Sequence, residues 1–271
     1  STGDASTNNI IIGRGGSKIK GACVDPKLKT DRVGVRLIYS DASQGWVTVT
    51  SANETAPTLN TTPDYIVATG GTITTSGDYR IHTFTGDGSF AVTTAPTPGN
   101  NNVSYMVVAG GGAGGKGGGR SAGGGGAGGF REGTLSSDPY SPNKSPLAST
   151  PLSVSACTSY PITVGGGGAG TSNYAANGSQ GSNSIFSTIT STGGGYGGNQ
   201  NLVPSTGIKN GGPGGSGGGA GGGDQFGTVG SGNTPPVSPP QGNNGGTATG
   251  NNGAQNAGGG GGGATSVGVN A

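Results

Sequence analysis

The chain has 271 residues, 66 of them glycine, about 24% against a usual share of roughly 7%. Hydrophobic residues other than glycine make up 28% and charged residues 9%, where an ordinary domain carries roughly 45–50% apolar residues with its few glycines counted, and about 25% charged. That supply excludes two conventional apolar cores. The net charge of +2 excludes a strong electrostatic pull toward nucleic acid or an anionic membrane.

The first 100 residues hold 13 of the glycines and 16 of the 24 charges. The composition shift predicts a boundary near 100–103, after the loop-like Ala95-Pro96-Thr97-Pro98-Gly99-Asn100. The expected organisation is a small β module and linker over 1–63, a β-hairpin module over 64–100, and a glycine-rich domain over 101–271. No apolar run approaches the roughly 18 residues of a membrane span. The N-terminus carries no signal-peptide pattern and no initiator Met, so the chain reads as a processed product or as part of a longer one.

In chain order, Ile10-Ile11-Ile12 is a short β-like run. The basic residues Arg14, Lys18, Lys20, Lys27, Lys29, Arg32 and Arg36 are interrupted by Asp25 and Asp31 and read as a solvated face. Val33–Tyr39 and Trp46–Thr50, joined by the turn 40–45, predict a hairpin over 33–50. Residues 51–63 are polar and Pro-punctuated, a linker or long loop. Ile66-Val67-Ala68 precedes the turn Gly70-Gly71. Residues 79–85 alternate well, Gly86-Asp87-Gly88 is a tight-turn signal, and 89–93 predicts the returning strand of a second hairpin. No stretch shows helical periodicity, so essentially no α-helix is expected.

From 103 onward a β-like run twice leads into polyglycine, at 105–115 and 160–170, with further tracts at 117–119, 123–129, 193–198, 211–223 and 258–263. Polar loops are expected at about 130–159, 171–184, 199–210 and 224–257. A lone glycine tract belongs in a flexible linker. These tracts are purer than linkers, and they recur between segments carrying Val, Ile and Phe. The expected alternative is a domain of packed polyglycine-II helices: left-handed, threefold, rising about 3.1 Å per residue and without internal hydrogen bonds. Their N–H and C=O groups point outward and must bond to neighbouring tracts. Interior positions accept only glycine, since any side chain separates the backbones. The expected lattice-forming residues are Gly110, Gly111, Gly112, Gly165, Gly166, Gly167, Gly193, Gly194, Gly195, Gly217, Gly218, Gly219, Gly260, Gly261 and Gly262. Outward positions tolerate Ala, Lys116, Arg120 or Ser121.

No catalytic constellation emerges. His82 is the single histidine and lies mid-strand. Gly214-Gly215-Ser216-Gly217-Gly218 matches G-x-S-x-G without the strand–turn–helix context of a nucleophile elbow. Gly115-Lys116 is followed by Gly117, where a phosphate loop needs Ser or Thr. No acidic cluster has metal-ligand spacing. The expectation is a non-enzyme without cofactor or metal. Cys23 and Cys157 fit a single bridge or two separate buried thiols. What remains is surface: aromatics on loops between rigid tracts, Tyr140, Tyr174, Tyr196 and Phe226, serve as anchors for a ligand or pack against a neighbouring tract.

Several motifs resemble glycine-rich structural proteins of tailed phages, and are most similar to tail-fibre-like proteins of marine cyanophages. They include Tyr79–Gly86, Tyr105–Gly111, Gly128–Glu132, Tyr160–Gly165, Asn183–Ser191 and Gly232–Asn243. The resemblance covers roughly 10–270. It implies a virion fibre or tail-fibre adhesin contributing to host-cell attachment, with host-binding loops on a polyglycine-II sandwich. It implies other virion proteins as partners through the N-terminal part, a host polysaccharide or outer-membrane protein as receptor, and a homo-oligomer. A trimer is favoured, since small β modules short of core gain apolar burial by trimerising. The alternatives are a non-adhesive spacer or decoration protein of the virion, and a non-viral extracellular glycine-rich scaffold. An ice-binding face is disfavoured, since the threonines show no regular register.

Overall fold

A computed structural model describes residues 10–23, 25–28, 35–49, 59–60, 65–117, 121–138, 148–173, 176–200, 209–223, 227–249 and 257–271. All regular structure among them is β, and no helix occurs. In chain order the strands are β1 (Ile10–Ile11), β2 (Lys27–Leu28), β3 (Arg36–Asp41), β4 (Gly45–Val49), β5 (Leu59–Asn60), β6 (Val67–Thr69), β7 (Thr72–Ser76), β8 (Tyr79–Thr83), β9 (Gly88–Thr94), β10 (Asn102–Val103), β11 (Tyr105–Val108), β12 (Phe130–Gly133), β13 (Ala148–Ser149), β14 (Leu152–Ser153), β15 (Thr158–Thr163), β16 (Ser184–Phe186) and β17 (Ile189–Ser191). The chain forms two compact units. Unit 1 comprises Ser1–His82, Phe90–Asn102 and Ser153–Tyr160; unit 2 comprises Thr83–Ser89, Val103–Leu152 and Pro161–Ala271.

In unit 1 the expected hairpin over 33–50 is β3–β4, with Leu37 opposite Thr48, Ile38 opposite Val47 and Tyr39 opposite Trp46. Its turn is organised by Asp41, whose Oδ1 accepts from the Gln44 and Ser43 amides at 2.7 and 2.8 Å. These bonds, Gln44 first, hold the Asp41 carboxyl below its ordinary 3.8, because they favour the charged form. A depressed folded pKa means the turn's contribution is present above 3.8 and is lost as pH falls through the lower folded value. An NMR titration is therefore expected to place the Asp41 midpoint below 3.8, and Asp41→Asn to remove that acid-linked step.

Around this hairpin, Ile19 and Leu28 are buried, with Ile12, Val35 and Leu37 packed against them. β2 lies between β1 and β5, so Leu59-Asn60 forms a paired strand inside the stretch read from sequence as a linker; the rest of 51–63 lies outside the described residues. The Cys23–Cys157 pair is bridged, with Cα atoms 6.0 Å apart, inside the usual range of roughly 4.4–6.8 Å. It ties the 153–160 strap to the N-terminal strands of the same unit. Val154, fully buried in that strap, accepts from Asn101 Nδ2 at 2.7 Å and donates its own amide to the Asn101 carbonyl at 2.8 Å.

The second hairpin differs from expectation. β8 pairs with β7, not with β9, and the turn is Gly77-Asp78, where Gly77 takes φ 56°. A Gly-Asp pair is a two-residue hairpin signal of its own. β9 instead pairs antiparallel with β6, Ala68 opposite Val92. The tight-turn residues are used elsewhere: Asp87 Oδ1 accepts from the Val164 amide at 2.8 Å. His82 Nδ1 lies 2.9 Å from the Gly70 carbonyl oxygen, and its ring meets Phe90 edge-on at 5.0 Å.

In unit 2, β11 pairs antiparallel with β12, and β12 parallel with β13; β15, β16 and β17 run antiparallel in succession. The expected loop over 130–159 therefore opens with a strand. Beyond these strands the glycine segments bond to one another with a period of three. The amides of Gly123, Gly126 and Gly129 reach the carbonyls of Gly198, Gly195 and Thr192 at 2.7–2.8 Å. Those of Gly124 and Ala127 turn to Gly259 and Gly262 at 2.9 Å. The carbonyls of Ser121, Gly124 and Ala127 accept from Gly222, Gly219 and Ser216. Likewise Gly194, Gly197 and Gln200 donate to Gly110, Ala113 and Lys116 at 2.8–3.0 Å, while Gly195 and Gly198 donate to Ser216 and Gly219. Each segment thus serves several neighbours in rotation and satisfies its backbone without a conventional strand ladder.

The stretch expected as a loop over 224–257 also differs. Its described residues include 227–233 and 241–249, which belong to this network: Gly217 and Ala220 donate to Asn243 and Gly246, and Gly245 to Gly230. The mixed Asn/Thr/Gly composition hid them, because a backbone network needs glycine only where another chain approaches. Conversely, Ala113, Ala220 and Ala248 are buried rather than outward. Ala113 packs toward Gly178, where a second Cβ would collide with it.

Candidate functional site

The register of these bonds fixes where the segments end. Segment 109–116 runs antiparallel to 121–129 (Gly112 to Gly126, Gly115 to Gly123) and parallel to 192–200. Segment 164–170 runs antiparallel to 177–183 (Ser182 to Gly166, Ser179 to Ala169). Segment 215–223 runs antiparallel to 121–129 and to 257–263, and parallel to 241–249. It follows that five pairs of successive segment ends, at 117 and 121, 173 and 176, 200 and 209, 223 and 227, and 249 and 257, stand at one end of the array, called the five-connection end. The strands β12, β16 and β17, the turns near 213–215 and 264–266, and the Pro-rich 234–240 stand at the other end.

At the five-connection end the described segment termini carry Lys116, Asn173, Asn177, Asn199, Gln200 and Lys209. Asn199, fully buried, accepts from the Lys116 amide at 2.7 Å and donates through Nδ2 to the Ala176 carbonyl. The Gln200 amide donates to the Lys116 carbonyl at 3.0 Å. The Asn177 Oδ1 is buried with no hydrogen-bond partner among the described residues. Lys209 is buried, and its carbonyl accepts from Gly221 at 2.8 Å. Side-chain amides here close segment ends that glycine cannot close, since it has no donor or acceptor beyond its backbone. Of these only Lys116 stood out in the sequence, as a tolerated outward position; their common signal is an amide or lysine at or beside the end of a tract.

The opposite end is braced differently. Gln241 is fully buried, accepts from the Thr192 amide at 2.8 Å and donates to the Pro235 carbonyl at 3.1 Å. Asn233 Oδ1 accepts from the Val237 and Gln241 amides. The loop is bonded to itself and to the array, which suits a fixed support.

Of the four sequence-predicted aromatics, Tyr140, Tyr174 and Phe226 lie outside the described residues. Tyr196 is half-buried within a segment, its ring against Gly212 where a Cβ would collide with it; that is a packing role.

The predicted lattice glycines fall into classes by the space around them. A Cβ would come under 3.0 Å from a neighbouring backbone atom at Gly110, Gly112, Gly165, Gly193, Gly194, Gly195, Gly217, Gly218, Gly219, Gly261 and Gly262. At Gly260 the approach is 3.1 Å, at Gly111 and Gly167 it is 3.6 and 3.7 Å, and at Gly166 nothing lies within 4 Å. Among the described residues from 110 onward, Gly223 is the only glycine with positive φ. Where a segment requires glycine, it is for close approach and not for an unusual backbone angle.

No helix among the described residues is long and apolar enough to cross a membrane. No curated protein and no solved structure matches the chain. The glycine-rich domain family matches residues 84–271, more than half of the chain and all of its threefold network. The chain belongs to the glycine-rich domain family.

Proposed function

We propose that the chain is a virion fibre or tail-fibre adhesin whose glycine segments are packed polyglycine-II helices. The threefold recurrence of donors along 121–129, 192–200 and 215–222 supports the helix type, since polyglycine II has three residues per turn and no internal bonds. The observation that carries the function is the gathering of five connections at one end of a cross-bonded array whose other end is braced by strands and the Gln241 loop. Recognition residues favour loops held by a rigid scaffold, and a fibre presented in many copies gains avidity without one strong site. The receptor is a host polysaccharide or outer-membrane protein. The N-terminal part joins other virion proteins, and the protein resides in the extracellular particle as a homotrimer.

The test is adsorption of the purified chain to marine cyanobacterial cells and their envelope fraction, with phage infection in competition. Saturable binding that blocks adsorption is expected. Absence of binding to any host fraction, with infection unaffected by excess protein, overturns the reading. Exchange of the five connections is expected to change host range; an unchanged range supports the spacer reading instead.

A further inference from the structure

We infer that the Asn177-Gly178 step is a modification site, where the folded chain deamidates by itself through a cyclic imide and gains a carboxylate. The inference stands on the bonding of this step and does not depend on the adhesin reading. The sequence holds four Asn-Gly steps, beginning at Asn177, Asn210, Asn244 and Asn252. All share one latent reaction, because glycine has no side chain to shield its amide nitrogen from the preceding carboxamide. What separates them is whether the two reacting groups are tied. At Asn210 both are: Oδ1 accepts from the Thr228 amide at 2.8 Å, and the Gly211 amide donates to the Thr228 carbonyl at 2.9 Å. At Asn244 both are again: Oδ1 accepts from the Gly232 amide at 2.8 Å, and the Gly245 amide donates to the Gly230 carbonyl at 3.0 Å. At Asn177 neither is tied among the described residues. Its Oδ1 has no hydrogen-bond partner, and the Gly178 amide donates to no backbone carbonyl. The fourth step, Asn252-Gly253, lies outside the described residues.

The array holds the chain on both sides of the free step. The Ser179 amide donates to Ala169 at 2.9 Å and the Gly181 amide to Gly194 at 3.0 Å, while the Ala176 carbonyl accepts from Asn199 Nδ2. Nothing described holds the Asn177 carboxamide against turning toward the Gly178 nitrogen. Asn177 is half-buried and its neighbours Ala176 and Ser179 are exposed, so water reaches the step. A Cβ at Gly178 would collide with that of Ala113, so the packing itself keeps glycine in the reactive position. In the reaction the Gly178 nitrogen gives its proton to hydroxide and attacks Asn177 Cγ. The N–Cγ bond forms, the Cγ–Nδ2 bond breaks, and Nδ2 takes up a proton and leaves as ammonia. Water then opens the imide at either carbonyl, leaving an aspartate or an isoaspartate with one more carbon in the main chain. No electrons change hands. The product places a negative charge at the five-connection end, where the charged described termini are Lys116 and Lys209.

The full chain, kept folded in mildly alkaline buffer and then mapped by peptide mass spectrometry, reports replacement of the amide NH2 by OH at each asparagine. Asn177 is expected to convert at least about tenfold faster than Asn210 or Asn244, since each of those must first break two hydrogen bonds. Asn244 is exposed and Asn177 half-buried, so a reaction governed by solvent access alone gives the reverse order. In urea strong enough to unfold the chain the three rates are expected to converge, because glycine follows asparagine in each. The Asn177→Gln variant, whose longer side chain closes a larger and slower ring, is expected to lose the fast conversion and keep the slow ones. An Asn177 no faster than Asn244 in the folded chain overturns the inference. So does an excess at Asn177 that persists undiminished in urea.

Discussion

Gly218→Ala is expected to destabilise unit 2 by roughly 3 kcal/mol, the upper end of overpacking costs with a broken buried hydrogen bond added. Gly218 is buried. Its amide donates to the Gly212 carbonyl at 2.9 Å and its own carbonyl accepts from Gly230 at 2.8 Å. An added Cβ enters the Tyr196 carbonyl, and the obstacle is backbone, which cannot swing aside as a side chain does. Relief requires moving 193–198 away, which also strains the bonds from Gly195 and Gly198 to Ser216 and Gly219. Gly195→Ala is expected to behave alike, its Cβ meeting the Gly212 carbonyl. Gly166→Ala is the control. Nothing lies within 4 Å of its Cβ, and the change is expected to fall within about 0.5 kcal/mol or to stabilise slightly by restricting the unfolded chain. For a region of this size the difference amounts to a fall of about 10 °C in Tm, read by calorimetry. Equal effects at Gly166 and Gly218 would remove the argument that close backbone approach selects glycine here.

Opening the Cys23–Cys157 bridge is the second large effect. The crosslinked residues are 134 apart in sequence. Loop-closure entropy sets the stabilisation at roughly 4–5 kcal/mol, of which native disulfides deliver about 2–4. Among the described residues of unit 1 the buried apolar side chains are few, chiefly Ile19, Leu28, Ala68, Phe90, Val92 and Val154. Cys23→Ser/Cys157→Ser is therefore expected to lower the denaturant midpoint of the transition seen by Trp46, the single tryptophan. The ordinary chain in a reducing agent is expected to follow it. An unchanged midpoint in both experiments contradicts a stapling role.

These two effects show unlike ways of stabilising a chain poor in apolar side chains. Unit 1 uses short strands, a small cluster around Ile19 and one covalent tie. Unit 2 buries mostly backbone together with Asn199, Gln200, Ser216 and Gln241, and meets the entropy cost of ordering glycine with a dense network of amide–carbonyl bonds. The same network directs attention to the polar residues that end the segments, because the glycines between them offer no side chain.

Much of this was legible from residue order. The β-forming runs at 10–12, 33–39, 46–50, 105–109 and 160–164 form strands within a few residues of those bounds, because alternation and branched side chains act locally. The purity and recurrence of the glycine tracts were enough to expect backbones that bond to one another, since a glycine-only surface has no other means of cohesion. The tertiary structure decided what depends on partners distant in sequence. It chose β7 over β9 as the mate of β8, brought Cys157 to Cys23, admitted 241–249 to the glycine network, and turned Tyr196 into a packing residue. Glycine composition says that a neighbour can come close; it carries no side-chain pattern to say which neighbour. That choice belongs to the register of the whole array, and with it the placing of five connections at one end.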